Sequence, residues 1–431
     1  MIMTKAEDTL STLFVGIDVG SRNNVVALMT FNDLRPFSTF TITNNQPGLD
    51  LLIKKLVSCL KRRKDLSKLV IALESTGMYS LLFSSNLACA PELNVYDSKV
   101  YILNPRATSS YKGSCQTIGK TDKIDAYAIA DFARAGKIQC RPWRGAQFLG
   151  LQRLTRQRLH LVNTLSREKT YMLSNIYLKF SELTMLKGDE RPFYSNFTAT
   201  GLSTLTDFLS PEDIARTPLE ELVDILNKKS RNGFADPVKT AELLQKAARN
   251  SFKLDRCAYE ALTIAIASSI NLCKAIQDEI KAIDRAIIKE IRGFDPLAYE
   301  VLQSIPGIGP VYAAGILAEI GKIDLFPRQD SLALYTGIVW KRNDSSEFKG
   351  EDTHMAKQGN SYLRYYLIEA ANQIKNYCPE FYETYHRKFS QTKTHQHKRA
   401  LALTARKLVR LIFRLLANNE LYSPEKARRL K

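Results

Sequence analysis

Four acidic residues have the types and positions that suit metal-dependent chemistry: Asp18, Glu74, Asp122 and Asp125. Asp18 and Glu74 lie at the ends of two apolar runs, and Asp122 and Asp125 share one face at the start of a predicted helix. Converging acids repel each other unless cations neutralise them, and such hard oxygen ligands suit Mg²⁺ or Mn²⁺. Two such ions can hold the attacking and leaving oxygens of a phosphodiester. Any one of the four acids alone is better explained as a solvated charge or a helix cap, and Asp122 suits the positive end of a helix dipole. The set of four is more specific.

Alternating strands and helices over residues 10–145 are expected to position these acids. Nearly continuous apolar runs predict buried strands, two of them inside 13–30 around a tight turn at Gly20–Asn24, one at Lys68–Leu73 and one at 99–103. Amphipathic spacing predicts helices at 47–64 and from Thr121 to Ala135, and the polar, basic stretch 104–119 is expected to be a loop. The pattern indicates an α/β domain whose strand ends point into one crevice.

The rest of the chain is predicted to be helical. Within 146–295, the long segments 147–185 and 254–292 carry apolar residues at helical spacing, which predicts a helical hairpin or a coiled coil. The more polar stretch 186–250 between them is interpreted as an inserted helical subdomain. Residues 296–431 are expected to form a C-terminal helical domain, so the fold class is α/β plus all-α.

Composition limits the function classes. The chain has 431 residues and a net charge of +18, which favours a polyanionic partner, nucleic acid first and a membrane surface second. The longest apolar runs are too short for a transmembrane helix, and no signal peptide is expected. The seven cysteines are scattered without a CxxC pair, which predicts reduced thiols in a cytoplasmic protein rather than a disulfide framework or a zinc site.

A glycine-rich turn opens the last third of the chain. The sequence Ile305-Pro-Gly-Ile-Gly-Pro310 resembles the turn of a helix-hairpin-helix. Gly307 and Gly309 would let the backbone approach a DNA phosphate, and the following helix offers free N–H groups. The alternative is a simple turn between packed helices.

A polar loop with two serines follows at 341–350, where Ser345 and Ser346 stand among basic residues. A serine pair in a basic loop is unremarkable by itself. Lys357 and Arg364 are expected near the same polar end and are candidates for contacting nucleic acid. His354 is interpreted as a surface residue.

Further basic residues are candidates for nucleic-acid contact, and they include Arg106, Lys112, the run 61–64 and the stretch 153–169, with Tyr111 as an aromatic neighbour. Such patches bind polyanions by charge neutralisation. Solvated helix faces account for some of these charges.

One competing motif lies at the N-terminus. Val15-Gly-Ile-Asp-Val-Gly20 also resembles the first phosphate loop of sugar kinases and actin-like ATPases. That interpretation requires a second Asp-Xaa-Gly loop and an adenosine-binding Gly-Gly strand, neither of which is found, and the positive net charge disfavours it.

The ordered set of motifs resembles the bacterial DEDD transposases of insertion sequences, a group that includes Piv-type invertases and bridge-RNA-guided recombinases. The resemblance covers about 10–180 and 295–380 and rests on five motifs, which are Gly16-Ile-Asp18, Leu73-Glu74-Ser-Thr-Gly77, Lys120-Thr-Asp122-Lys-Ile-Asp125-Ala126, Pro306-Gly-Ile-Gly309 and Lys357-Gln-Gly-Asn-Ser-Tyr-Leu-Arg364. It implies an N-terminal RuvC-like domain with a ribonuclease-H fold and a C-terminal transposase domain that carries a catalytic serine.

The resemblance also implies roles for individual residues. Asp18, Glu74, Asp122 and Asp125 would be the metal-binding tetrad. The family's serine stands in a Ser-Gly step, and here the step is Asp344-Ser345-Ser346, so Ser345 is favoured and Ser346 stays open. The serine would attack a backbone phosphate, leaving a phosphoserine bond and a free 3′-hydroxyl.

Partners follow from the same resemblance. In relatives the serine and the tetrad of one working site come from different subunits, which implies a homodimer or tetramer, with the two long helices either as pairing surfaces or as an intramolecular hairpin. The implied ligands are donor and target DNA and a guide RNA encoded by the element, in the bacterial cytoplasm at the nucleoid. The alternatives are a RuvC-like nuclease or junction resolvase that uses water, and a non-catalytic nucleic-acid-binding protein.

Overall fold

The computed structural model describes residues 9–114, 121–138, 142–143, 148–340 and 355–424. The chain forms two compact units. One comprises residues 1–149 with 321–327, and the other comprises residues 150–320 with 328–431.

The first unit is built on a five-stranded sheet with the order β3-β2-β1-β4-β5. Its strands are β1 (Thr12–Val19), β2 (Asn23–Met29), β3 (Ser38–Thr43), β4 (Lys68–Glu74) and β5 (Lys99–Leu103). The pairs β1–β2 and β2–β3 are antiparallel, whereas β1–β4 and β4–β5 are parallel. The four predicted strands are confirmed, and the edge strand β3 is an addition to them.

The helices of the first unit are α1 (Gln46–Arg62), α2 (Met78–Ala88), α3 (Pro91–Asn94), α4 (Pro105–Ser114) and α5 (Asp122–Arg134), with a 3₁₀ turn at Ile323–Leu325. Asn45 caps α1 and Thr121 caps α5 through their side-chain oxygens, as residues of these types do at helix starts. The expected loop at 104–119 is wrong over 105–114. There Pro105 begins a helix whose side chains are too polar to show an apolar period.

Two apolar cores cover the two faces of this sheet. One packs α1 and α2 against side chains such as Leu13, Val15 and Ile17. The other packs α5 against Phe14 and its neighbours on β2, β4 and β5. Because side chains alternate along a strand, Gly16 and Asp18 face the same side as Phe14, which is the side of α5.

The second unit is helical. Its helices are α6 (Leu149–Lys179), α7 (Ser181–Met185), α8 (Ala199–Asp207), α9 (Pro211–Arg216), α10 (Leu219–Ser230), α11 (Pro237–Asn250), α12 (Arg256–Arg292), α13 (Pro296–Gln303), α14 (Pro310–Ile320), α15 (Gln329–Thr336), α16 (Ser361–Ile374), α17 (Pro379–Ser390) and α18 (Gln396–Asn418), with a 3₁₀ turn at Gly188–Glu190. Among the described residues, no helix combines the length and apolarity needed to cross a bilayer.

The two long helices α6 and α12 contact each other along their length. Arg158 pairs with Asp284, the carboxylate of Glu168 accepts a hydrogen bond from Ser269 at 2.6 Å, and Lys179 donates to Thr263 at 2.7 Å. Residue numbers rise on one helix as they fall on the other, so the pairing is antiparallel and intramolecular, as in the predicted helical hairpin.

The stretch between the long helices is itself helical. Its helices α7–α11 share a core with the hairpin residues Met172, Ile176, Ile266 and Cys273. The buried ammonium of Lys179 donates to the carbonyl oxygens of Leu205 (2.6 Å) and Phe208 (2.9 Å) at the end of α8. Burial lowers the pKa of Lys179 to about 8.

Candidate active site

Asp18 and Glu74 are brought together by the register of two parallel strands. Ile17 of β1 lies opposite Leu73 of β4, so the next residue on each strand is an acid at the carboxyl end of the pair. The sheet therefore places two of the four predicted acids side by side on neighbouring strands.

Gly16 lets α5 bring the other two acids to the same place. A Cβ atom at Gly16 would lie 2.2 Å from the carbonyl oxygen of Ala126 and 2.3 Å from the amide nitrogen of Ala130. The backbone of α5 thus packs directly on β1, at a distance that only glycine permits. Asp122 and Asp125 lie in the first turn of this helix.

The charges of the four acids act on one another. The pKa of Asp18 is raised to about 6, chiefly by burial and then by the negative charges of Asp125, Asp122 and Glu74. Coupling of this kind requires the carboxylates to be close together. The other three predicted acids therefore lie near enough to Asp18 for their charges to act on it.

Lys112 of α4 is the internal counter-ion of this cluster. Its ammonium lies 2.9 Å from Oε1 of Glu74 and 3.1 Å from Oδ1 of Asp125. Burial lowers the pKa of Lys112, but the hydrogen bonds to the two carboxylates outweigh burial and the net pKa is raised. Thr108, one turn earlier, donates to the same Glu74 oxygen at 2.6 Å.

The donor set suits a hard divalent cation, since carboxylate oxygens are the ligands that Mg²⁺ and Mn²⁺ prefer. In the arrangement seen, with the Lys112 ammonium between Glu74 and Asp125, the described residues include no group of three or more Asp, Glu, His or Cys side chains already set as metal ligands. The cluster thus has the composition of a metal site and holds a lysine ammonium between two of its four carboxylates.

Two other residues of the first unit, Tyr111 and Arg106, were also predicted to take part in nucleic-acid contact. The hydroxyl of Tyr111 donates to Asp131 at 2.6 Å and its ring packs edge-on against Phe132, so this residue fixes α4 to α5. Arg106 lies in α4, and its side chain is outside the described residues, as are Ser345, Ser346 and His354.

The described ends of the serine loop are held together in the second unit. Trp340 and Met355 form an antiparallel bridge, and the amide of Ala356 donates to the carbonyl of Val339 at 2.7 Å. The amide of Lys357 donates to the carbonyl of Gly337 at 3.2 Å, and the Lys357 backbone has a φ of 50°. The described residues on either side of 341–354 are therefore paired with each other.

A buried ionic network lies beside these paired residues, and sequence reasoning missed it. The fully buried carboxylate of Glu319 accepts two hydrogen bonds from Arg156, at 2.7 and 2.8 Å, and one from the side-chain amide of Asn360 at 2.7 Å. The Asn360 side-chain oxygen in turn caps α16. A lone acid inside the apolar helix Pro310–Ile320 was the signal that could have found Glu319.

Arg364 and Gly307, two residues predicted to contact nucleic acid, make contacts within the second unit. Nη1 of Arg364 donates to the carbonyl of Thr336 at 2.9 Å. Gly307 has a φ of 91°, and a Cβ there would lie 2.9 Å from the amide nitrogen of Ile374, so a turn between packed helices accounts for this glycine. Gly309 is exposed, and a Cβ there would meet nothing within 4 Å.

We expect Glu319→Ala to lower the free energy of unfolding of the second unit by about 3–5 kcal/mol, because it leaves the Arg156 guanidinium and the Asn360 amide without their buried partner. Urea denaturation followed by circular dichroism measures this, with the exposed Glu300→Ala as the matched control. A loss below about 1 kcal/mol would show that solvent replaces the carboxylate without cost.

Comparison with known proteins decides the family. Residues 15–180 match the DEDD, IS110-type transposase model, and residues 299–386 match the model described as the IS116/IS110/IS902 transposase family, so that the two together cover more than half of the chain. The chain belongs to the insertion-sequence DEDD transposase family. The first match places the segment Val15–Gly20 in a transposase domain rather than in an ATPase phosphate loop.

Curated relatives agree with this transposase assignment. The chain is 24% identical to the insertion element IS116 uncharacterized 44.8 kDa protein of Streptomyces clavuligerus, over 96% of each chain. It is 26% identical to the transposase for insertion sequence element IS1111A of Coxiella burnetii, over 63% of this chain and 58% of that protein. It is also 28% identical to the IS110 uncharacterized 43.6 kDa protein of Streptomyces coelicolor, over 37% of this chain and 38% of that one.

Membership in this transposase family means that DNA is the substrate and that the protein is an enzyme of DNA cleavage and recombination. The N-terminal match contains all four acids and Lys112, and the C-terminal match contains the serine loop, Glu319 and Asn360.

Proposed function

We propose that this transposase cuts and rejoins DNA through a phosphoserine bond at Ser345, with a divalent metal held by Asp18, Glu74, Asp122 and Asp125. The observation that carries the proposal is the convergence of these four acids at the carboxyl ends of β1 and β4, under the first turn of α5. A cluster of this charge has few structural uses, because like charges in a half-buried crevice destabilise the fold.

The sheet supports the finer assignment of the N-terminal unit to the RuvC-like ribonuclease-H fold. Three antiparallel strands, β3, β2 and β1, are followed by two parallel ones in the order expected for that class. The acids lie where ligands bind in open α/β sheets, outside the carboxyl ends of the strands.

Each described residue of the cluster has a definite task in the proposal. The four carboxylates would hold Mg²⁺ or Mn²⁺, which when bound supplies positive charge that polarises the scissile phosphate. Thr108 fixes the orientation of Glu74 by its hydrogen bond, and Gly16 sets the depth at which Asp122 and Asp125 approach. Lys112 neutralises part of the negative charge.

Because the Lys112 ammonium occupies the place of a cation, we expect Lys112→Met to raise the Mn²⁺ affinity of the protein about tenfold and to lower its thermal stability in EDTA. Calorimetric titration with MnCl₂ alone measures the first effect, and Lys123→Met, an exposed lysine of α5, is the matched control. Weaker or unchanged Mn²⁺ binding would mean that Lys112 does not compete with the metal.

The serine supplies the covalent step. The hydroxyl oxygen of Ser345 would attack the phosphorus, the bond from phosphorus to the 3′-oxygen would break, and the 3′-oxygen would leave as a hydroxyl. The phosphoserine bond keeps the energy of the broken linkage available for rejoining to another strand. The resemblance of Asp344-Ser345-Ser346 to the family's Ser-Gly step supports Ser345 over Ser346.

Denaturing electrophoresis of the protein after incubation with the ends of its element tests the serine. We expect a protein–DNA adduct with the wild type and with Ser346→Ala, and its complete loss with Ser345→Ala. Cleavage without any adduct would favour a nuclease or junction resolvase that uses water. An adduct lost only with Ser346→Ala would move the nucleophile by one residue.

The proposal extends to a guide RNA encoded by the element and to a homo-oligomer in which subunits share working sites. The net charge of +18 supports a large polyanionic partner. Purification from the native host and sequencing of the bound nucleic acid test the RNA, since random host RNA would contradict it. Mixing the inactive variants Asp18→Ala and Ser345→Ala tests shared sites, because only subunits that complement each other would recover strand exchange.

A further inference from the structure

We infer that the turn between α17 and α18 is a contact surface for the phosphates of duplex DNA. The inference goes beyond the proposed catalysis and does not depend on which residue is the nucleophile. The surface consists of the exposed side chains of Tyr382, His386, Arg387, Lys393, His395, His397 and Lys398, and it is called the turn patch below.

The turn patch has a strong excess of positive charge. Residues 381–399 contain five Lys and Arg against the single acid Glu383, and they hold three of the five histidines of the chain. The first turn of α18 contains no acidic residue. The field of this surface is therefore positive and suits a polyanion.

The cations of the turn patch are also uncompensated. Among the described residues, Arg387, Lys393 and Lys398 take part in no salt bridge, although exposed cations elsewhere do, such as Lys281 with Asp278. A lysine or arginine without a carboxylate partner breaks no ion pair when it contacts a phosphate, and the contact releases counter-ions condensed on DNA.

Contacts among the aromatic residues of the turn patch, and with the buried Tyr385, hold part of this surface in place. The His386 ring lies 4.1 Å from the Tyr382 ring, centroid to centroid, and 5.2 Å from that of Tyr385. The Tyr385 hydroxyl is hydrogen-bonded to Nδ1 of His397 at 2.7 Å, which joins α17 to the start of α18. A preorganised surface loses less entropy on binding than a flexible one.

DNA is the occupant that these features favour. The protein belongs to a family that acts on DNA, and the C-terminal family match runs to residue 386, inside the turn patch. Exposed cations around a short aromatic stack suit contacts to the backbone of a duplex, which position DNA without reading its sequence.

The triple variant Arg387→Gln, Lys393→Gln and Lys398→Gln tests the inference in the full-length protein. The probe is a 30-base-pair DNA duplex without element sequences, titrated at several NaCl concentrations. Each lost phosphate contact lowers the salt slope by about 0.9, so we expect a decrease of about 2 to 3 and an affinity about 10- to 100-fold weaker at low salt.

A matched triple variant of exposed cations on the helical insert, Arg231→Gln, Lys239→Gln and Lys246→Gln, removes the same charge and serves as control. The inference is overturned if the turn-patch variant binds the DNA duplex like the wild type or like the control. It is also overturned if an RNA duplex of the same length loses affinity while DNA does not. Because cleavage is not measured, the result is independent of the serine and the metal.

Discussion

Asp18→Ala is expected to reduce DNA strand cleavage by about a thousandfold or more while the protein stays folded. The pKa of Asp18 responds to the charges of all three other acids, so its removal takes away one of the four proposed metal ligands. Loss of the charge stabilisation that a metal supplies is on the order of 4 kcal/mol, which corresponds to about three decades in rate. Cleavage of a labelled element end in MgCl₂ measures the effect.

Stability separates the role of Asp18 in the site from a role in the fold. Its folded-state pKa of about 6 lies above the ordinary 3.8, so ionisation of Asp18 costs free energy in the folded state at pH 7.5 but not below about pH 3.8. Asp18→Asn should therefore raise the melting temperature in EDTA at pH 7.5 and leave it unchanged at pH 3.5. The exposed Asp50→Asn is the control for both assays. An inactive Asp18→Asn variant that also melts earlier at pH 7.5 would assign the residue to the fold.

Gly16→Ala is expected to lower the free energy of unfolding by roughly 3 kcal/mol or more, beyond the usual cost of an added methyl group, because the new Cβ atom meets backbone rather than a flexible side chain. Any protein that folds must carry α5 farther from β1, and Asp122 and Asp125 move with it. A displacement of about 1 Å is enough to lower activity about a hundredfold.

Urea denaturation and MnCl₂ titration measure these two consequences of Gly16→Ala separately. Gly309→Ala is the control, since a methyl group there meets nothing within 4 Å. Wild-type stability together with wild-type Mn²⁺ affinity would contradict the close packing of α5 on β1.

The sequence predicts the strands that are buried on both faces and the helices that bury one apolar face. Strands such as β1 and β4 are nearly continuous apolar runs, and α1 and α5 have clear amphipathic spacing. The edge strand β3 is missed although its exposed threonines alternate with Phe40 and Ile42, the period-two pattern of a half-buried strand, because its two apolar side chains make no continuous run. Helix α4 was expected to be a loop because the contacts that hold it are polar and come from distant residues.

The residues of the candidate site could likewise be predicted only where the element that carries them could be predicted. The four acids could be found because they interrupt or begin elements that are themselves predictable. The position of Lys112 between Glu74 and Asp125 could not be found from the sequence. Lys112 and Glu74 are 38 residues apart in the chain, and their contact depends on the packing of α4. Glu319 carried a signal, an acid within an apolar helix, but its partner Arg156 is 163 residues away.

The antiparallel hairpin of α6 and α12 has an evolutionary consequence. The polypeptide enters and leaves the insert at the same end of the hairpin, where Lys179 donates a hydrogen bond to Thr263. Natural variation can therefore lengthen, shorten or exchange this module without re-routing the polypeptide that carries the acids or the serine. Any version of the insert must still cover the apolar side chains of the hairpin, which include Met172, Ile176, Ile266 and Cys273.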